Sequence, residues 1–210
     1  VWQNLAFVAG MRGFIKIFLA LLVLVFISNE FSYLTIRYNI LAGLSRSQFI
    51  MGKLSVVFLL SLISTLGLFV SELYLGFRFS ANTEITAILA RVYWLFYYFL
   101  EVYTYRTFAL LIGILIRKTG FAIITLLSYI FIELIIQYKL PEAYEKFLPL
   151  NAMNGIVNGV NSSLLQVKTD EFDLGQIFQS SASITDVGLC VAYLALFIGV
   201  IYFYFSKKDL

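Results

Sequence analysis

The sequence contains no histidine, a single cysteine and only two prolines. The absence of histidine removes the commonest general base, the partner of activated serine and cysteine nucleophiles, and the usual zinc ligand. One cysteine can form neither an internal disulfide nor a cysteine metal cluster. Because Cys190 lies inside an apolar segment, we interpret it as a small packing residue.

Charged residues are scarce as well. They make up 13% of the 210 residues, whereas 61% are hydrophobic, and a soluble domain carries roughly 25% charged residues. The apolar residues form segments of about 20 residues, the length that spans the hydrocarbon core of a bilayer. A helix is the only open-ended structure that satisfies the backbone in lipid. We therefore predict an all-α membrane protein, a polytopic helical bundle with spans A to E at residues 13–32, 54–77, 92–116, 121–138 and 187–205.

The basic residues cluster in the A–B link, the C–D turn at residues 117–120 and the C-terminal tail, whereas the long D–E link is rich in Asp and Glu. The positive-inside rule places the basic side and the C-terminus in the cytoplasm, and we expect the membrane to be the bacterial plasma membrane. Five crossings then leave residue 1 outside, so we expect one further span upstream. Lys16, near the start of span A, is expected to snorkel to the headgroups.

The A–B link, residues 30–53, has the pattern of a helix, a sharp turn and a second helix on the cytoplasmic surface. Ile36, Ile40 and Leu41 recur at helical spacing, and Gly43 is suited to end that helix. Ser45 and Gln48 match a capping box that starts the next helix. The alternative interpretation is a basic interfacial loop.

These residues resemble the signature of ABC-2-type transporter permeases. The resemblance lies in Glu30, in residues 35–37, in residues 43–46 and in Gly52-Lys53, and it extends to the basic-Asp-Leu tail at 205–210. Residues 148–151 resemble the outer half-helices that this family places before its last span. The family also has an N-terminal interfacial helix and a first span. On this alignment the chain is a single transmembrane domain, residues 1–210, without those two elements, and residues 1–12 belong to an outer connection.

The resemblance implies a permease subunit, most simply of an exporter, that pairs with a second permease copy or paralogue and with two ATP-binding subunits. The A–B link would dock on the ATP-binding subunit, and Arg46 would reach a carboxylate there or else a phospholipid. ATP and Mg²⁺ would be bound by the partner, since the chain has no phosphate-binding Gly-rich loop; we expect no cofactor, no nucleic-acid partner and no enzyme activity of its own. The alternatives are a non-transporting membrane anchor or scaffold and an intramembrane enzyme. The expected coupling residues are Glu30, Arg37, Gly43, Ser45 and Arg46.

Four charged residues lie within the apolar spans: Glu72, Glu101, Arg106 and Glu133. A rise of about 1.5 Å per residue places the three carboxylates toward the outer leaflet and Arg106 roughly 16 Å from the inner face. Intramembrane charges mark a pathway or an internal pair. We predict an Arg106–Glu133 ion pair that locks span C to span D, with a substrate or subunit-interface role and snorkelling as the alternatives. The tyrosines Tyr98, Tyr103, Tyr105 and Tyr129 are interpreted as packing residues, with a translocation path as the alternative.

Overall fold

The computed structural model describes residues 5–33, 35–79, 93–158, 168–169, 172–173 and 184–207. These residues form an all-α helical bundle, and five of its helices are long and apolar enough to cross a membrane. The predicted fold class is thus confirmed. The helices are α1 (Leu5–Ser32), α2 (Thr35–Leu41), α3 (Arg46–Phe79), α4 (Tyr93–Ile116), α5 (Thr119–Lys139), α6 (Glu142–Glu145), α7 (Pro149–Asn158) and α8 (Ile184–Lys207).

Several helices extend beyond the apolar segments that predict them. Helix α3 has 34 residues, or about 51 Å at 1.5 Å per residue, and so exceeds the roughly 30 Å hydrocarbon core. Its first two turns are the second helix of the A–B link, which is continuous with the span instead of lying separately on the surface. Helix α1 begins at Leu5, so most of the predicted connection at residues 1–12 is helical.

The links at the two ends of the bundle differ in length. Between α4 and α5 only Arg117 and Lys118 are non-helical, because Arg117 adopts a left-handed conformation with φ 58° that reverses the chain. Thr119 and Gly120, predicted as part of that turn, already belong to α5. At the opposite end, α6 and α7 precede two-residue strands at Lys168–Thr169 and Phe172–Asp173, which pair antiparallel. The predicted helical segment before the last span is therefore confirmed.

Helix α4 is the centre of the bundle and packs against α1, α3, α5, α7 and α8. All residues from Thr104 to Ile114 are buried, which no other helix in the described part of the chain matches. The remaining spans turn large apolar side chains outward, such as Phe18, Leu59 and Phe131, which are more than half exposed. Those outward faces are the lipid-facing surface expected of a bilayer-spanning bundle.

Gly113 lies at a close contact between α1 and α4. A Cβ atom on Gly113 would lie 2.3 Å from Ile27 Cγ2 and 3.5 Å from the carbonyl oxygen of Leu24. Small residues at helix contacts in membranes allow this approach of backbones. The glycine thus permits the contact that fixes α1 on the central helix.

We expect Gly113→Val to lower the free energy of unfolding by about 1–3 kcal/mol, the usual cost of overpacking a filled core. The matched control is Gly199→Val in α8, where an added Cβ meets no atom within 4 Å. Unfolding of the purified protein in mixed micelles measures both variants. Equal losses in the two would contradict a close α1–α4 contact at Gly113.

Candidate functional site

Residues 30–53 include the end of α1, helix α2 and the start of α3, and we call this segment the elbow. Its helix α2 ends in a Schellman motif. Gly43 has φ 98°, and its N–H donates to the Ile40 carbonyl at 3.0 Å, while the Leu44 N–H donates to the Asn39 carbonyl at 3.1 Å. Glycine adopts this backbone conformation without a steric penalty. The prediction that Gly43 terminates α2 is confirmed.

A reciprocal capping box starts α3 immediately after that turn. The Ser45 N–H donates to Gln48 Oε1 at 2.9 Å, and the Gln48 N–H donates to Ser45 Oγ at 3.2 Å. Two of the orphan donors at the helix start are satisfied in this way. Helix α2 and helix α3 are therefore joined by a turn that hydrogen bonds hold on both sides, as the sequence predicts.

An ion pair closes the base of the elbow. Lys53 Nζ in α3 is bonded to Glu30 Oε1 near the end of α1, and both side chains are about 15% exposed. The same ammonium group lies 4.5 Å from the Phe26 ring centroid and 5.1 Å from that of Phe49. A cation that also contacts aromatic faces gains a further attraction. Glu30 thus faces into the elbow.

The last helix braces the elbow from the side. Arg46 Nη1 donates to the Phe205 carbonyl oxygen in α8 at 3.2 Å. The Phe205 ring is almost fully buried and lies 5.9 Å from the Phe49 ring and 6.3 Å from the Phe31 ring. Arg117, in the turn between α4 and α5, lies over Phe31 at 5.0 Å. The elbow, the α4–α5 turn and the end of α8 therefore share one end of the bundle, called the elbow end.

The tip of the elbow is apolar and exposed. Tyr38, Leu41 and Leu44 are 69%, 83% and 40% exposed, whereas Ile36 on the opposite side of α2 is buried. Arg37 lies in α2, and its side chain is outside the described residues. We therefore name Tyr38, Leu41 and Leu44 together as the elbow tip.

Two buried charges far from the elbow pair with each other. Lys16 Nζ lies 2.8 Å from Glu101 Oε1, and the two side chains are 10% and 1% exposed. The ammonium group also bonds to Asn154 Oδ1 in α7 and lies 5.1 Å from the Tyr105 ring centroid. The expectation that Lys16 snorkels to the headgroups is wrong, because α4 and α7 enclose its side chain and offer it a carboxylate.

The predicted Arg106–Glu133 ion pair is also wrong. Glu133 Oε1 accepts the Asn151 N–H at 2.8 Å, and this donor is one of the unpaired groups in the first turn of α7. Arg106 points instead to α3, where its Nη1 donates to Ser61 Oγ at 3.1 Å. Spans C and D are antiparallel neighbours as expected, yet the two side chains leave the interface in different directions.

The other sequence candidates are Glu72 and the four tyrosines of the spans. Glu72 in α3 is half-buried, and its Oε1 has no hydrogen-bond partner among the described residues. Tyr98 and Tyr105 are buried in the core, as expected of packing residues, while Tyr103 and Tyr129 are half-buried. The described part of the chain contains no group of three or more His, Cys, Asp or Glu side chains that could hold a metal ion.

Cys190 has the packing role that the sequence predicts. Its side chain is fully buried in α8, and its Sγ donates to Thr104 Oγ1 of the central helix at 3.3 Å.

The buried charged residues were recognisable in the sequence, but their partners were not. Lys16 is 16 residues from the elbow end of α1, and Glu101 is 16 residues from Arg117, so both lie roughly 24 Å from that end at the usual helical rise. This equality of depth was a usable signal. No comparable signal indicated Lys53 as the partner of Glu30, or the Phe205 carbonyl as an acceptor for Arg46.

The five apolar helices, four of them packed around the central α4, together with a buried ion pair and a hydrogen-bonded elbow, define a multi-pass helical membrane protein. Residues 2–210 match the family described as "Protein of unknown function (DUF2705)", and the chain belongs to that family. No curated protein and no solved structure matches the chain.

Proposed function

We propose that this protein is the permease subunit of an ATP-binding-cassette transporter in the bacterial plasma membrane. The elbow end faces the cytoplasm together with the C-terminus, and a separate ATPase subunit binds the elbow. A second permease, identical or related, completes the membrane domain, and export is the proposed direction. ATP and Mg²⁺ are bound by the partner.

The construction of the elbow carries the proposal. A link that only connects two spans needs no fixed shape, whereas this one has a Schellman motif, a capping box, an ion pair and a bond from Arg46 to α8. A displacement of such a rigid unit moves α1, α3 and α8 together. Transmission of nucleotide-driven motion requires a rigid element of this kind, because a soft linker would absorb the movement.

The elbow tip is the proposed contact with the ATPase subunit. Its exposed Tyr38, Leu41 and Leu44 offer an apolar anchor, and anchors of this type dominate the binding energy of protein interfaces. Glu30 and Arg46 belong to the expected coupling set, and their internal contacts support a bracing role beneath the docking surface. The elbow therefore divides into a tip that binds and a base that transmits.

We expect Leu41→Glu to weaken capture of the ATPase subunit by roughly 30-fold, which corresponds to about 2 kcal/mol for a single anchor residue. Leu41 is 83% exposed, so the variant should fold normally. The measurement is co-purification from native membranes followed by titration of the identified ATPase onto the purified permease. Phe147→Glu is the matched control, since Phe147 is 60% exposed at the opposite end of the bundle.

The orientation of the elbow is tested separately. In a variant with Cys190 replaced by serine, a cysteine at position 41 should react with a membrane-impermeant maleimide only after the cytoplasmic face is opened. Labelling from the outside of intact cells would overturn the proposal. So would native membranes in which no ATPase binds the wild-type chain.

A further inference from the structure

Arg106 is a fully buried cation in the middle of the central helix. Its side chain is 0% exposed, and the residue lies roughly 16 Å from the elbow end of α4. Side chains of a helix lean toward its N-terminus, so Arg106 reaches away from the elbow end, to Ser61 of α3. The guanidinium group therefore lies deep in the membrane-spanning part of the bundle.

One edge of this guanidinium group has no acceptor. Nη1 bonds to Ser61 Oγ, and Ser61 Oγ itself donates to the Val57 carbonyl at 2.8 Å. Arg106 Nε and Nη2 have no hydrogen-bond partner among the described residues. These two nitrogens form the side-on edge of the fork, which binds a carboxylate or phosphate through two parallel bonds.

The other buried charges do not compensate Arg106. Lys16 and Glu101 neutralise each other, and Glu133 is bonded to the start of α7. Within the described residues, no carboxylate forms a salt bridge with Arg106. Arginine stays protonated in proteins, and a lone charge in the bilayer interior is costly. The bundle thus retains a desolvated positive charge with a bidentate edge.

An apolar groove lies beside this charge. It has a volume of about 680 Å³ between α3, α4 and α8, and Leu54, Phe58, Tyr103 and Ile198 are among its lining residues. Phe58 is one helical turn from Ser61, and Tyr103 is one turn from Arg106, so the same α3–α4 contact forms both the groove wall and the guanidinium site. The rings of Phe58 and Tyr103 meet edge to face at 5.7 Å. Neither Arg106 nor Ser61 lines the groove itself, so one ligand reaches both only if α3 separates from α4 at this contact.

We infer that Arg106 binds the anionic headgroup, a phosphate or another oxyanion, of an amphiphile whose hydrocarbon chain occupies this groove. The groove by itself would accept any apolar chain. The uncompensated bidentate edge adds the requirement for an oxyanion, and the depth of Arg106 requires that a hydrocarbon chain accompany it. The idea that this amphiphile is the transported substrate rests on the proposed function. Its binding to the isolated chain does not depend on that function.

The test is equilibrium binding of radiolabelled dodecyl phosphate to the full chain in phosphatidylcholine nanodiscs, with empty nanodiscs subtracted and no ATPase or nucleotide present. We expect Arg106→Gln to lower the affinity by roughly tenfold to a hundredfold, the range for loss of charge-assisted hydrogen bonds. Arg106→Lys keeps the charge but lacks the two-nitrogen fork, so its affinity should lie between those of the wild type and Arg106→Gln. Lys118→Gln removes an exposed positive charge at the elbow end and should change the affinity less than twofold.

Competition identifies the source of the oxyanion. Inorganic phosphate, which lacks the chain, should compete far more weakly than dodecyl phosphate, and dodecyl maltoside, which lacks the charge, should not compete at the same concentrations. Equal competition by inorganic phosphate would show that the site needs no hydrocarbon chain, and equal competition by dodecyl maltoside would show that it needs no oxyanion. Either result would overturn the inference. Unchanged binding by Arg106→Gln would overturn the site as a whole.

A stability measurement keeps the inference testable without any ligand. If the charge is uncompensated, Arg106→Met should unfold at the same temperature as the wild type or at a higher one. A clearly lower melting temperature would show that Arg106 is held by a structural partner and would overturn the inference. If the wild-type chain binds dodecyl phosphate but no ATPase subunit is found to bind the chain, the ligand site stands and only the proposed transporter function is overturned.

Discussion

Replacement of Glu101 by alanine is expected to lower the free energy of unfolding by about 3–5 kcal/mol, the cost of breaking a buried ion pair from one side. Lys16 would stay enclosed by α4 and α7 with Asn154 as its hydrogen-bond acceptor and the Tyr105 ring beside it. Neither group carries a formal negative charge. An ordinary interhelical hydrogen bond in a membrane contributes only about 0.6 kcal/mol, so the size of the loss distinguishes a charge effect from a lost contact.

Reversible unfolding in mixed micelles measures this loss, and a double variant provides the control. Lys16→Met with Glu101→Leu removes both charges and keeps most of the side-chain volume. Replacement of a buried ion pair by apolar residues is often neutral or stabilising. The double variant should therefore be more stable than Glu101→Ala. Losses that simply add across the single variants would contradict the pairing of Lys16 with Glu101.

Gly43→Val is expected to release the elbow turn and to abolish coupling to the ATPase subunit. A β-branched residue at φ 98° is strained by roughly 1–3 kcal/mol, which exceeds the net gain of about 1 kcal/mol from a typical hydrogen bond. The Schellman motif should then open. The amides of Gly43 and Leu44, which donate to Ile40 and Asn39, should lose their protection in hydrogen exchange.

Gly67→Val is the matched control for this variant, because Gly67 lies in α3 outside the elbow, has no atom within 4 Å of an added Cβ and needs no positive φ. Exchange at the turn and stimulation of the partner ATPase should both stay at wild-type levels there. Gly43→Asn should show exchange and ATPase stimulation between those of the wild type and Gly43→Val, since asparagine tolerates the left-handed region better than valine. Retained ATPase coupling in a folded Gly43→Val protein would contradict the transmitting role of the elbow.

The elbow was predictable because its determinants are local. Gly43 and the Ser45–Gln48 pair act over three to five residues, and local hydrogen bonds of this kind follow from residue type and spacing. The spans were predictable for a similar reason, since length and hydropathy within one segment decide them. The depth of Glu101 and Arg106 along their helix was predictable as well.

The partners of the buried charges were not predictable from the same information. Depth along a helix follows from a count of residues, whereas the direction of a side chain depends on the rotation of the helix and on which neighbour it meets. Apart from Glu101, Arg106 and two threonines, helix α4 is as apolar as the other spans, so its hydropathy does not show that it is central. The expected Arg106–Glu133 pair failed for this reason: Arg106 turns to Ser61 and Glu133 turns to α7.

The sequence by itself determined a bilayer-spanning all-α chain, the limits of its spans to within a few residues except at the starts of α1 and α3, and the hydrogen-bonded form of the elbow, because each depends on neighbours along the chain. Only the tertiary structure decided that α4 is central, that Lys16 neutralises Glu101, that Glu30 and Lys53 close the elbow, and that Arg106 keeps an unpaired edge. Those contacts join residues 23 to 85 positions apart. They depend on how the helices rotate and pack against one another, and that arrangement is fixed only when all the spans are assembled.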